Sequence, residues 1–348
     1  MDILKGRLNK HKNISGGNYM KNLKKAVMIG LCAAAVAACG GKKDGGANAA
    51  ASWPNKPVEV VLHASAGGDT DFNARTFGEF FEKETKKPLV VTNMPGASGL
   101  AATESIKSTP ANGYKALFTH SGPMVVNYVS GVADYDYKEF DVASIPAVDG
   151  GSVLVASKQS GITSLKDLIE KSQANPGSII YGTEFGGFSH LQVLILQDKA
   201  GVQLKLADIG STAEKVTNLL GGRIDVASIA YGSIKDYVTN GDMVALAQYN
   251  AERNPYLGDV PTAVENGIDM VMDNPYIIAF PKGTDPEIIA KMSELSVKIA
   301  GTPEYAEKLK NGFSQQAKVY SSEEAKAYLQ EIEEKYMQYQ DQLKKTTK

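Results

Sequence analysis

The chain reads as an α/β protein built from two lobes with a cleft between them. Short β-branched runs alternate with amphipathic helical stretches from Trp53 onward, the order of elements that produces sheets covered by helices. The series pauses near Gly150 and a similar one begins at Val153. Each series also contains a strand, a glycine-rich loop and a helix start in direct succession.

The first series opens with residues 58–63, a buried strand by its length and β-branching. Residues 65–70 form a loop, and Asp71 begins, as its N-cap, a helix whose apolar face carries Phe72, Phe77, Phe80 and Phe81. Arg75, one turn on, braces this lobe by pairing with an acid. Residues 89–92 are a second strand, 93–99 a glycine-bearing loop, and 116–119 a third strand. The second series runs from strand 153–157 through a helix opened by the capping pair Ser164 and Asp167. It continues with strand 179–181, loop 182–189, helix 190–200, and strands 224–228 and 244–247. The last third reads as mainly helical, with capping pairs Thr262–Glu265 and Ser321–Glu324. The alternation predicts parallel sheets throughout.

The N-terminal region places the protein outside the cytoplasm. From Met20 the chain has a basic start, thirteen apolar or small residues from Ala26 to Ala38, and then Cys39. This is the pattern of an export signal, too short for the roughly 20 residues that span a bilayer. Val36, Ala37, Ala38 and Cys39 resemble the lipobox of bacterial lipoproteins, which implies lipid attachment at Cys39 and cleavage before it; secretion without lipid is the alternative. Residues 1–19 are read as an extension set by a wrongly annotated gene start, 20–38 as the signal, and 39–52 as a flexible tether without large apolar side chains. The globular part then divides into lobe 1, residues 53–150 plus 276–348, and lobe 2, residues 151–275.

Residues 1–38 hold seven Lys/Arg and one Asp/Glu, so the remainder carries 30 basic and 38 acidic residues. A net charge of about −8 argues against nucleic acid or an anionic membrane surface as partner. Cys32 leaves with the signal and Cys39 is lipidated, so the folded body has no thiol for catalysis, disulfides or zinc.

The two strand–loop–helix junctions carry the functional signal. First-turn N–H groups of a helix lack intrahelical partners, and the dipole adds partial positive charge. Glycines let a ligand approach the backbone, so such a junction binds anions without an arginine. Two of them across a cleft suit the ends of a dicarboxylate; the alternative is that Gly67–Gly68 and Gly186–Gly187 are tight turns.

The segments Ala66 to Arg75, Asn93 to Gly99, Pro110 to Tyr114, Tyr181 to Thr183 with Ser189 to Leu191, Leu219 to Asp225 and Asp259 to Thr262 resemble, in order, the signatures of the tripartite tricarboxylate transporter solute receptors, the TctC or Bug family. The resemblance spans about residues 53–345. It implies a two-lobed type II periplasmic-binding-protein fold that captures a small carboxylate, an amino acid or a di- or tricarboxylate, and delivers it to a membrane permease. It also implies ligand contacts at Ser65, Ala66, Gly67, Gly68, Asp69, Thr70, His120, Ser121, Gly122, Thr183, Glu184, Gly186, Gly187 and Ser189, with no cofactor and a monomeric state.

Four positions depart from the family pattern: His63, Asp69, His120 and Glu184. Two acids beside an anion site penalise a tricarboxylate and suit a ligand that also carries a cationic group; alternatively they point to solvent or accept local backbone hydrogen bonds. Three histidines, His63, His120 and His190, flank the cleft, yet no His-rich loop or His-Glu-x-x-His element supports a metal site. No Gly-x-Ser-x-Gly elbow or nucleotide fingerprint is present, so the expectation is a binding protein and not an enzyme. A hydrolase using Ser121 or Ser189 with His190, and a receptor serving a membrane sensor, are the alternatives.

Overall fold

The computed structural model describes residues 51–346. The extension 1–19, the signal 20–38, Cys39 and most of the tether lie outside the described residues. In chain order the first lobe runs β1 (Val58–Leu62), α1 (Asp69–Thr85), β2 (Leu89–Asn93), α2 (Leu100–Lys107), β3 (Lys115–His120), α3 (Asn127–Ser130) and β4 (Phe140–Asp149). The second runs β5 (Ser152–Ser157), α4 (Leu165–Ala174), β6 (Ile180–Thr183), α5 (Phe188–Ala200), β7 (Lys205–Asp208), α6 (Thr212–Leu220), β8 (Val226–Ala230), α7 (Lys235–Thr239) and β9 (Met243–Gln248). The chain returns as β10 (Asn274–Pro281) and ends in α8 (Pro286–Ala300), α9 (Pro303–Phe313), α10 (Ser322–Met337) and α11 (Gln340–Thr346).

Two five-stranded sheets result, with orders β2-β1-β3-β10-β4 and β7-β6-β8-β5-β9. They are mixed, which corrects the expectation of parallel sheets: β10 runs antiparallel to β3 and β4, and β5 antiparallel to β8 and β9. The reason is the route of the chain. β5 enters the second sheet directly from β4, and β10 re-enters the first from the second lobe, so neither follows a right-handed βαβ crossover.

The core follows from side-chain alternation. Val58, Val60 and Leu62 of β1 are buried against Phe77, Phe80 and Phe81 of α1, and Trp53 meets Phe81 and Phe280 edge-on at ring separations of 6.2 and 6.3 Å. Helix α5 is apolar around most of its circumference, with Leu191, Val193, Leu194, Ile195 and Leu196 all buried. Such a helix must be covered on several sides. The C-terminal region supplies one cover: Phe188 packs on Tyr336, and the Tyr339 hydroxyl donates to Asp198 at 3.1 Å.

Candidate ligand-binding cleft

A cavity of about 940 Å³ opens between the lobes, at the C-terminal ends of β1, β3, β6 and β8, where α/β sheets ordinarily present their loops to ligands. Its wall contains Ser65, Ala66, Gly67, Gly68, Asp69, Thr70, His120, Gly122, Glu184, Gly187 and Ser189 from the expected set. Ser121, Thr183 and Gly186 are set back from it. Ser121 is fully buried and donates its hydroxyl to Asn274 Oδ1 at 2.7 Å, while the Thr183 hydroxyl meets Ser189 at 3.0 Å.

The two helix junctions have different electrostatics. Helix α1 starts at Asp69 after Gly68, so Asp71 is its third residue and not its N-cap. Asp71 accepts from the Gly67 N–H at 3.0 Å, pairs with Arg75 at 2.9 Å and receives Asn93 Nδ2 at 3.0 Å. These bonds fold the 65–70 loop onto β2. Asp69 turns to the cleft, where Tyr276 Oη donates to Oδ2 at 2.8 Å and the N–H groups of Asp69 and Thr70 also donate. Asp69 lines the cleft and also takes local backbone bonds. A carboxylate of the protein already fills the anion site at the start of α1.

Helix α5 starts after Gly187 and has no acid in its first turn. Beside it stands Lys215, 5% exposed, whose Nζ donates to Ser189 Oγ at 2.8 Å. Ser189 Oγ also accepts the Glu184 N–H at 3.1 Å, which leaves the serine proton for Thr183. Burial pulls Lys215 down to about 8, against the opposing pull of Glu184 and Asp208. Among the described residues no carboxylate lies within ion-pair distance of Lys215. The lobe 2 junction therefore brings a buried ammonium to the cleft wall, with the Glu184 carboxylate on the same rim.

Lys215 escapes a motif search because it belongs to no loop signature. The signal lies in the capping box Ser211–Glu214 that opens α6, which places Lys215 and Leu219 four residues apart on its inward face. Asp149 is the second residue beyond sequence reasoning. It ends β4, is 3% exposed and lines the cleft. Burial pushes it up to about 7, with repulsion from Asp69 adding to the rise.

His63 and His120 form a directed chain. The Gly122 N–H donates to His120 Nδ1 at 2.9 Å, so the proton of His120 is on Nε2. It points at His63 Nε2, 3.0 Å away, and His63 Nδ1–H then meets Thr119 Oγ1 at 2.9 Å. Burial and the neighbouring cation Lys215 bring His120 down to about 3; burial and His120 hold His63 well below its ordinary range. Both rings are neutral at pH 7, with their facing nitrogens engaged with each other. No group of three metal-ligating side chains occurs among the described residues.

The chain matches the family model described as tripartite tricarboxylate transporter family receptor over residues 74–345. It is 30% identical to a protein of Cupriavidus necator encoded in the gbd 5′ region, over 74% of this chain and 78% of that protein. It is 27% identical to the protein BugT of Bordetella pertussis, over 70% and 76% respectively. Among solved structures it resembles an R. palustris protein with adipate, TM-score 0.74 at 23% identity, covering 84% of this chain and 98% of that one. MatC from Rhodopseudomonas palustris with bound malate gives 0.72 at 20% identity, with coverage of 84% and 99%. These structures share the two-lobed fold.

Proposed function

Because the chain belongs to the tripartite tricarboxylate transporter receptor family, we propose that it is an extracytoplasmic receptor that closes on a small carboxylated solute and delivers it to a membrane permease. The observation that carries this reading is the buried ammonium on the lobe 2 wall of the cleft. Lys215 and the acid-free first turn of α5 face a cavity of about 940 Å³, and a buried ammonium gives a carboxylate a charge-assisted partner. The adipate and malate in the two neighbours are carboxylates, which supports the same class. The signal at 20–38, lipid on Cys39 and the 39–52 tether would hold a monomeric receptor at the membrane. The described residues contain no helix long and apolar enough to cross it.

A thermal-shift screen of amino acids, dicarboxylates and tricarboxylates tests the reading. A ligand at 100 times its Kd stabilises the fold by about 2.7 kcal/mol, and Lys215→Met is expected to weaken that ligand at least about tenfold. A folded protein whose melting no carboxylate shifts would overturn it. For the anchor, Cys39→Ser is expected to abolish incorporation of radiolabelled palmitate; labelling that persists would refute lipidation there. Deleting the gene separates delivery from sensing, since transport predicts loss of ligand uptake.

One observation favours a second reading, hydrolysis. Ser189 and Lys215 are in contact, and a neutral Lys215 that accepted the Ser189 proton would make a serine–lysine nucleophile pair. Turnover of an ester or amide that disappears in Ser189→Ala would establish it.

A further inference from the structure

We propose that Asp69 and Asp149 form a subsite for the ammonium group of an aminocarboxylate whose carboxylate lies against Lys215 and the first turn of α5. The inference rests on the reading of the cleft as a carboxylate site and names the second pole of the ligand.

The two acids come from distant parts of the chain and share one neutral platform. Gln315 Nε2 donates to Asp149 Oδ1 at 3.4 Å and to Tyr276 Oη at 3.1 Å, and Tyr276 passes its own proton to Asp69 Oδ2. Gln315 is held in turn by Asn73 Nδ2, which donates to its Oε1 at 3.0 Å. Asp149 Oδ1 takes the Gly151 N–H as well, at 2.7 Å. Both hydrogen bonds of this buried carboxylate therefore fall on one oxygen. Oδ2 receives none from the described residues, in a side chain that lines the cavity.

Countercharge in direct contact is what the pair lacks: Lys215 acts on Asp69 only from beyond ion-pair distance. Among the described residues no lysine or arginine forms an ion pair with Asp69 or Asp149. Two carboxylates that repel each other while buried demand a proton or an external cation. Burial raises both, as expected of acids left in this condition. A ligand ammonium supplies the charge and brings three donors to the open oxygen. The start of α1 is already filled by Asp69, so a ligand carboxylate is directed to the lobe 2 end. A cleft with an acid pair at one pole and an ammonium at the other is complementary to a zwitterion, and mismatched to a plain dicarboxylate spanning both poles.

Calorimetric titration of the purified protein with the twenty common amino acids and with matched unsubstituted acids tests this, aspartate against succinate and glutamate against glutarate among them. At least one amino acid is expected to bind at least about tenfold tighter than its des-amino partner. Asp149→Asn keeps an oxygen for Gly151 and Gln315 and is expected to remove that preference, weakening the amino acid while improving the unsubstituted acid. Asp69→Asn should act in the same direction, and thermal melts establish that both variants are folded. Unsubstituted acids that bind as tightly as their amino partners, or a preference that survives both substitutions, would overturn the subsite and leave the carboxylate reading standing. Silence from both series would bring down both.

Discussion

Asp149 is a carboxylate withdrawn from water with no cation of the protein beside it, and it burdens the fold. Its value in the native state is about 7 against 3.8 for an ordinary aspartate, set by burial first and Asp69 second. Asp273 adds repulsion, and burial raises Asp69 on the cleft side as well. A group whose folded pKa is raised binds protons more readily in the native state, so stability falls as pH rises from about 4 to 7 and is constant above. Asp149→Asn removes this burden. It is expected to leave melting unchanged near pH 4 and to raise it at pH 8, by an amount on the order of 2 kcal/mol after relaxation of the site. A melting gain at pH 4 as large as at pH 8 would show that the charge is not the cause. The sequence revealed Asp69 as an unusual acid because it interrupts a recognisable loop. Asp149 and Lys215 gave no such sign, because their roles arise only where β4 and α6 come to line one cleft.

At the scale of elements, the turn after β3 links the histidine chain to the cleft wall. Residues 122–126 form a π-helical turn, a geometry that often marks functional sites. It brings the Gly122 N–H onto His120 Nδ1. A Cβ at Gly122 would stand 2.6 Å from His120 Cε1, so the ring would have to move and surrender this bond. Gly122→Ala is expected to cost about 1–3 kcal/mol, the usual range for overpacking. Gly68→Ala, where the nearest atom is the Ser65 carbonyl oxygen at 4.0 Å, should cost less than 1 kcal/mol. Urea unfolding midpoints compare the two; equal losses would mean that the His120 contact is not the reason. The glycine-rich loops and most strands were readable from composition and period. The capping pair at Ser164 and the box at Ser321 open helices as expected, whereas Thr262 and Glu265 bond to each other but cap only a 3₁₀ turn, Val264–Asn266. Strands β4 and β10 were missed because they carry Pro146, Pro275 and Pro281. Prolines ordinarily argue against a central strand. β4 tolerates Pro146 at the sheet edge, and β10 has register irregularities along its pairing with β4. The β7 strand is too short and too polar in period to stand out.

On the scale of the whole molecule, the repeated strand–loop–helix series made two lobes legible, but the sequence is silent on how they are tied. Two backbone connections join the sheets, the short β4–β5 step at Gly150 and Gly151 and the longer return from β9 to β10. The C-terminal helices add a side-chain tie through Tyr339 and Asp198. The poles of the cleft sit on different sides of these connections: Asp69 on the first lobe, Lys215 on the second, and Asp149 at the step itself. A ligand that touches all three favours the closed arrangement by its differential affinity for it, and one that touches a single lobe shifts nothing. Saturating the protein with a tight carboxylate is therefore expected to reduce the radius of gyration measured by small-angle X-ray scattering. Lys215→Met, which removes the contact on the second lobe, should blunt the reduction even at concentrations that restore occupancy. Superimposable scattering curves with and without saturating ligand would mean that the lobes are already locked as described, and that binding draws on a preformed site without closure.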